Sequence, residues 1–161
     1  MTKRLDEKTK TKLVNYLNSR FGIDKNFFEN YIFTITGHSV SIVSFSKENK
    51  KIIENLMTTN YVISFGIELF SNHKDFTLSS LGFGIIPAER ITQNFVKLNR
   101  EQANNYLSGK EIETKDIKNK YLMSSGFVAC ILEKQIIGTA YFNKDKQVII
   151  PNLSFINEKT K

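Results

Sequence analysis

The spacing of hydrophobic residues predicts alternating helices and strands in the first half of the chain. Where a helix is expected, apolar side chains recur every three or four residues, and where a strand is expected, β-branched and aromatic residues form short runs. The predicted helices are 8–20, which ends at Gly22, and 47–57, which is expected to turn Ile52, Ile53 and Leu56 inward. The predicted strands are 30–36, 39–45, 61–71 and 76–81, of which the first two predict a hairpin.

The second half is predicted to be mostly β-structure around one helix. Asn99 and Gln102 have the spacing of a helix capping box, and the helix is expected to end at Gly109. The polar residues 110–124 are expected to be irregular. The predicted strands are 92–98, 126–133, 136–142 and 146–150, with Pro151 expected to break the last one. Together the two halves predict an α+β fold.

The composition excludes several classes of protein. Of 161 residues, 40% are hydrophobic, which is enough for a buried core and excludes general disorder. The single cysteine excludes a disulfide framework and a metal site made of several cysteines. The apolar stretches are too short to span a membrane, and the N-terminus lacks the apolar core of a secretory leader. The expected location is therefore the cytoplasm, without membrane contact.

The net charge points to an acidic partner. The chain carries 23 Lys and Arg against 16 Asp and Glu, a formal charge of +7, and both halves share the excess. A positively charged surface attracts anions such as nucleic acids, although solvated lysines are also common on surfaces that bind nothing. The basic residues are densest in 1–20 and 110–120. From charge alone, a plain solvated face is the better interpretation of the second segment.

No motif in the sequence indicates an enzyme. His38 and His73 are expected in turns, and neither has a second His or Cys at the spacing of metal ligands. Cys130 lies in an apolar strand and is expected to be a small core residue. Gly82 and Gly84 form only part of a phosphate-binding glycine motif. We therefore expect a binding protein with no catalytic residue, metal or cofactor. A site assembled from distant carboxylates is the enzymatic alternative.

Two segments of the second half, 94–112 and 126–142, resemble a PUA domain, a small β pseudo-barrel found in RNA-modifying enzymes and ribosome-biogenesis factors. The matching positions are Ala103, Leu107, Gly109, Gly126 and Gly138. The chain is most similar to the PUA-like domain at the C-terminus of RNA cytosine-5 methyltransferases, in which Tyr-Leu-x-Gly and Gly-aromatic-Val recur, here at 106–109 and 126–128. The first half resembles the pre-PUA segment that precedes such domains in archaeal-type proteins.

This resemblance implies a division of the chain. A mixed α/β pre-PUA-like half, 1–74, would pack on a C-terminal PUA-like β pseudo-barrel, 75–156, with 157–161 as a frayed tail. The sequence departs from the methyltransferase-linked pattern at two places. Thr139 follows the hairpin glycine where a lysine is usual, and Ile150 precedes the last proline where a Lys-Asn pair is usual. The lysines that would contact phosphate are therefore absent from those places.

The resemblance also implies a function. PUA-like domains present RNA to the surface of their first helix and the following loop, beside a sheet edge. This chain would then be a non-catalytic protein that binds structured tRNA or rRNA, as an accessory to RNA modification or ribosome biogenesis. The implied RNA-binding residues are Lys97, Arg100, Asn104, Gly109, Lys110, Lys115, Lys118 and Lys120. An exposed Tyr106 or Tyr121 would stack on a flipped base, although a core position is favoured for Tyr106.

The alternative is a protein-interaction adaptor. It would dock a separate RNA-modifying enzyme or a ribosome-assembly partner and bind no RNA itself. Phe27, Phe28 and Tyr31 lie close enough in the sequence to form an apolar patch, or they belong to the core, which is the favoured interpretation.

Overall fold

The computed structural model describes residues 2–58 and 66–153 of the chain. They form a mixed α+β fold with two sheets, as the hydrophobic spacing predicts. The helices are α1 (Glu7–Phe21), α2 (Lys50–Thr58), α3 (Ser80–Phe83) and α4 (Arg100–Leu107), with 3-10 turns at Lys25–Phe28, Ala88–Arg90 and Thr114–Asp116. The strands are β1 (Lys3–Arg4), β2 (Tyr31–Thr36), β3 (Ser39–Ser44), β4 (Ile67–Asn72), β5 (Thr77–Leu78), β6 (Phe95–Leu98), β7 (Ile112–Glu113), β8 (Asn119–Tyr121), β9 (Gly126–Leu132), β10 (Gln135–Asn143) and β11 (Val148–Pro151).

The first sheet is antiparallel, in the order β1-β2-β3-β4-β5, and α1 packs on it. The predicted hairpin is confirmed as β2 and β3. The predicted first helix is also confirmed, and both of its ends have a physical cause. The Asp6 side chain accepts a hydrogen bond from the backbone N–H of Thr9 at 2.9 Å, and Gly22 adopts the left-handed φ of 71° that ends the helix.

In the described part of the chain the second sheet has the order β7-β11-β10-β9-β6-β8, with β6–β9 as its one parallel pair. Successive side chains along its strand β9 point alternately into two different cores. Along β9, the side chains of Val128 and Cys130 lie in the core of the second half, whereas those of Ala129 and Ile131 lie in a core shared with the first half. Phe21 of α1 belongs to that shared core. The two halves therefore pack against each other, as expected for a chain without a linker.

Polar contacts also join the halves. The Arg20 guanidinium, near the end of α1, donates hydrogen bonds to the carbonyl oxygens of Phe127 at 2.7 Å and Ser124 at 2.9 Å, and to the Ser124 hydroxyl at 2.7 Å. The buried Asn94 side chain donates to the carbonyl oxygen of Arg20 at 2.6 Å and accepts from the backbone N–H of Met123 at 3.0 Å. Both residues fix the end of α1 against the second sheet.

Several predicted elements differ from the structure in the first half. The prediction for α2 is wrong at two of its three apolar positions. Ile53 is buried, but Ile52 is 61% exposed and Leu56 is 42% exposed. Part of the predicted strand 61–71 lies outside the described residues, and the described strand there is β4. The predicted strand 76–81 holds only β5, because the Ser79 side chain caps α3 immediately afterwards.

Two predictions for the second half are also corrected. Residues 110–124 are not irregular throughout, since they contain β7, a 3-10 turn and β8. Pro151 does not break the last strand but is its final residue and pairs with Ala140. The predicted domain limits stay a prediction. β5 lies beyond residue 74 and pairs with β4, so the first sheet uses residues on both sides of that limit.

In the ranges 2–58 and 66–153, no helix is both long enough and apolar enough to cross a membrane.

Candidate nucleic-acid interface

The predicted site begins with α4, which is fixed at both ends by its own sequence. Asn99 and Gln102 form the expected capping box, with the Asn99 side chain accepting from the Gln102 N–H at 2.8 Å and the Gln102 side chain accepting from the Asn99 N–H at 3.0 Å. At the other end Gly109 has a φ of 74°, and the N–H groups of Gly109 and Lys110 donate to carbonyls of the last turn. Gly109 therefore ends the helix as expected.

The predicted basic residues do not form one continuous surface. Arg100, at the start of α4, forms an ion pair with Glu133 at 3.5 Å. Lys97 lines a groove of about 490 Å³ that also contains Glu89 and Glu133. Lys110 follows the opposite end of α4, and a helix of this length separates the two ends by about 12 Å. The cations near the start of α4 are thus balanced by carboxylates.

Two other predicted residues add little unpaired positive charge to the site. Lys115 forms an ion pair with Glu113. The hydrogen bond between these two side chains is the main reason that the pKa of Lys115 is raised. Asn104 is exposed on α4. The exposure of Asn104 fits a base contact and simple solvation equally well, so its predicted role stays a prediction.

Strand β8 brings the remaining predicted residues together. Among the described residues it is an edge strand whose one partner is β6, and all three of its residues are exposed. The register places Phe95 opposite Tyr121, Val96 opposite Lys120 and Lys97 opposite Asn119. Since side chains directly opposite each other share a face of the sheet, Lys97, Asn119 and Tyr121 start from one face and Lys120 from the other. The Lys120 ammonium donates to the carbonyl oxygen of Ile117 at 2.7 Å.

A second groove lies on the other side of β8, between the strand and the turn that joins β10 to β11. Its volume is about 370 Å³, and its lining includes Lys120, Tyr121, Met123 and Lys144. The turn is held in place by Gln147, whose side chain donates to the carbonyl oxygen of Lys144 at 2.7 Å. Sequence reasoning missed Lys144, because it lies 24 residues beyond Lys120 and joins it only through the curvature of the sheet.

We define the β8 edge surface as the three exposed residues of this strand and the three lysines beside it. Its members are Lys97, Lys118, Asn119, Lys120, Tyr121 and Lys144. Within residues 2–58 and 66–153, none of its four lysines forms an ion pair with a carboxylate. Lys97 shares its groove with carboxylates, but Lys118, Lys120 and Lys144 have no ion-paired carboxylate among the described residues. The surface therefore combines the positive charge of these three lysines with an exposed aromatic ring.

The other candidate residues have structural explanations. Tyr106 is fully buried, as favoured, and its hydroxyl donates to the carbonyl oxygen of Thr139 at 2.9 Å. Cys130 is buried as expected, and burial raises the pKa of its thiol. His38 and His73 meet at the ends of two turns, where one ring nitrogen of His73 lies 2.8 Å from the carbonyl oxygen of His38. Among the described residues, no group of three or more His, Cys, Asp or Glu could hold a metal ion.

The aromatic patch considered for an adaptor is only partly exposed. Phe28 is buried in the core, while Phe27 and Tyr31 are half-buried with their ring centroids 5.4 Å apart. These two rings line a groove of about 410 Å³ with polar neighbours such as Asp24 and Arg90. The patch is therefore not a continuous apolar surface.

No protein-family model matches this chain, and no curated protein matches it either.

Proposed function

We propose that this protein binds structured RNA, tRNA or rRNA, without catalysing a reaction, and that the β8 edge surface is the main contact. The observation that carries the proposal is the exposed edge strand β8, where Lys118 and Lys120 flank Asn119 and neither lysine is paired with a described carboxylate. An accessory role in RNA modification or ribosome biogenesis is part of the same proposal and rests on the PUA resemblance.

The charge arrangement supports a phosphate backbone as the ligand. Lys97 lies on one side of β8, and Lys120 and Lys144 line the groove on its other side. A nucleic-acid strand that crosses the edge would pass all three ammonium groups, and each phosphate that they neutralise releases counterions and adds affinity. A small anion would need only one such group.

The geometry of the protein favours RNA recognition by shape and exposed groups over reading of a DNA groove. The proposed contact lies on the edge strand β8 and not on a helix, which is the element that most DNA-binding motifs place in the major groove. Structured RNA offers unpaired bases and 2′-hydroxyls, which an exposed tyrosine and an asparagine amide such as Tyr121 and Asn119 recognise.

The test compares two variants that each remove three positive charges. In the site variant, Gln replaces Lys118, Lys120 and Lys144. In the control variant, Gln replaces Lys8, Lys12 and Lys74, which are all exposed and remote in sequence from β8. Affinity for bulk tRNA is measured at several salt concentrations. We expect roughly tenfold or more loss of affinity in the site variant and a salt slope reduced by about 2, with little change in the control.

Two results would contradict the proposal. The first is equal loss of affinity in both variants, which would show that only net charge matters. The second is no RNA binding by the unmodified protein at low salt. Thermal unfolding of both variants checks that the folded state is intact.

The observation that favours the adaptor alternative is the exposure of individual apolar side chains in the first half. Ile52 of α2 is 61% exposed and Ile67 of β4 is 47% exposed, so the first half carries apolar side chains outside its core. This alternative would replace the RNA proposal if the protein fails to bind RNA and an Ile52→Ser variant loses a protein partner that survives nuclease treatment. A Leu81→Ser variant is the control, because Leu81 is similarly exposed, at 68%, but lies on α3.

A further inference from the structure

Tyr121 is an exposed aromatic residue whose ring has no described structural partner. It is 52% exposed, its hydroxyl makes no hydrogen bond with the described residues, and its ring stacks on no other described ring. Tyr141 is similarly exposed at 44%, but its ring packs edge-to-face on Phe127 with centroids 6.2 Å apart. About half of the Tyr121 surface is therefore open to a ligand, and its ring is engaged by no other described ring.

The neighbours of Tyr121 identify what would cover it. The cross-strand residue is the half-buried Phe95, so the two aromatic side chains start from the same face of the β6–β8 ladder. Lys97 is two residues further along that face, with its ammonium 5.9 Å from the centroid of the Phe95 ring. Lys120 and Lys144 border the groove next to Tyr121. A flat ring between lysines suits an aromatic base whose flanking phosphates are negatively charged.

The same arrangement disfavours a fully paired duplex at this point. In a duplex the bases are stacked on one another, so only their edges and the backbone reach the protein surface. Tyr121 projects from an edge strand and has no helix or second strand on its outer side among the described residues. An unpaired nucleotide can lay its ring on the tyrosine while its phosphates contact the lysines on either side.

We infer that the β8 edge surface selects RNA that carries an unpaired nucleotide, in a loop, a bulge or a single-stranded end, and that this base stacks on Tyr121. The inference rests on the proposed function and adds the class of RNA to it. Stacking of one base on an aromatic side chain corresponds to a loss of about tenfold in affinity when the ring is removed.

The experiment uses two RNAs with the same stem sequence, one closed by a loop that contains 2-aminopurine and one a blunt, fully paired duplex. Stacking on Tyr121 quenches 2-aminopurine fluorescence, so the readout is separate from affinity. We expect the unmodified protein and Tyr121→Phe to quench the loop probe. Tyr121→Ala should lose the quenching and bind the loop RNA about tenfold more weakly, with duplex binding unchanged.

Tyr141→Ala is the matched control, because it removes an equally sized ring from another exposed site. It should quench the loop probe as the unmodified protein does. Equal affinity for the two RNAs, with Tyr121→Ala quenching normally, would overturn the inference and leave the proposed function standing. Failure of the unmodified protein to bind either RNA at low salt would overturn both.

Discussion

Gly138 shows how a single residue holds the inner packing of the second half. Its φ is 152°, and a Cβ at this position would collide with the hydroxyl of Tyr106 and lie 3.3 Å from the Cβ of Ser80. Two hydroxyl-bearing side chains already fill the space beside Gly138. The Tyr106 hydroxyl donates to the carbonyl oxygen of Thr139, and the Ser80 hydroxyl lies 3.0 Å from the Thr139 hydroxyl. Only glycine allows this buried polar cluster to close.

We expect Gly138→Ala to lower the free energy of unfolding by about 3 kcal/mol, because it combines a strained backbone with overpacking. Urea unfolding measures the change. Gly37→Ala is the matched control, since Gly37 also has a positive φ, of 62°, but has nothing within 4 Å of the added Cβ. The control should cost only about 1 kcal/mol.

The Gly138 prediction has an internal check. Tyr106→Phe removes the hydroxyl that the new Cβ would meet, so the double variant should be more stable than the sum of the two single changes indicates. Equal effects of Gly138→Ala and Gly37→Ala, or strict additivity in the double variant, would contradict this account.

At the scale of elements, one arginine makes the direct polar contact between α1 and β9. Arg20 reaches from the last turn of the helix and donates to two carbonyl oxygens and one hydroxyl around residues 124–127. Burial is the main reason that the pKa of Arg20 is lowered, which is consistent with a guanidinium partly removed from water. Lysine cannot reproduce this contact, because its single ammonium lacks the planar fork of donors.

Arg20→Lys should therefore destabilise the protein by about 2 kcal/mol, because the half-buried carbonyl of Phe127 and the exposed Ser124 lose charge-assisted hydrogen bonds. Differential scanning calorimetry gives the change in Tm. Arg90→Lys is the control at an exposed site, where a change below about 0.5 kcal/mol is expected. An Arg20→Lys variant as stable as the control would show that the apolar packing alone joins α1 to β9.

The elements that sequence reasoning located are those with a strong local signal. Helix α1 and its glycine end, the β2–β3 hairpin and the Asn99 capping box all depend on residues close together in the chain. The missed features depend on distant partners. β8 has a polar sequence and becomes a strand only by pairing with β6, and the orientation of Ile52 depends on which side of α2 meets the sheet.

The candidate site shows the same limit at the scale of the whole molecule. The sequence pointed to the basic segment 110–120, and the structure brings Lys118 and Lys120 to one exposed edge. It also pairs Arg100 with Glu133, which only the folded chain brings near, whereas Lys115 is paired with Glu113 two residues before it. Lys144 joins the surface because the curled sheet places the β10–β11 turn beside β8. The positions of charged residues along the sequence could not show that Arg100 is paired with a carboxylate or that Lys144 lies beside β8.

The most direct test of the RNA-binding proposal is a map of the bound surface. We would record ¹H–¹⁵N spectra of the protein as a structured RNA such as tRNA is added at low salt. The account predicts that amide signals of residues 118–121, with those of Lys97 and Lys144, shift or broaden first, while those of Lys8 and Lys12 on α1 stay in place. Changes confined to α1, or no change at any RNA concentration, would contradict it.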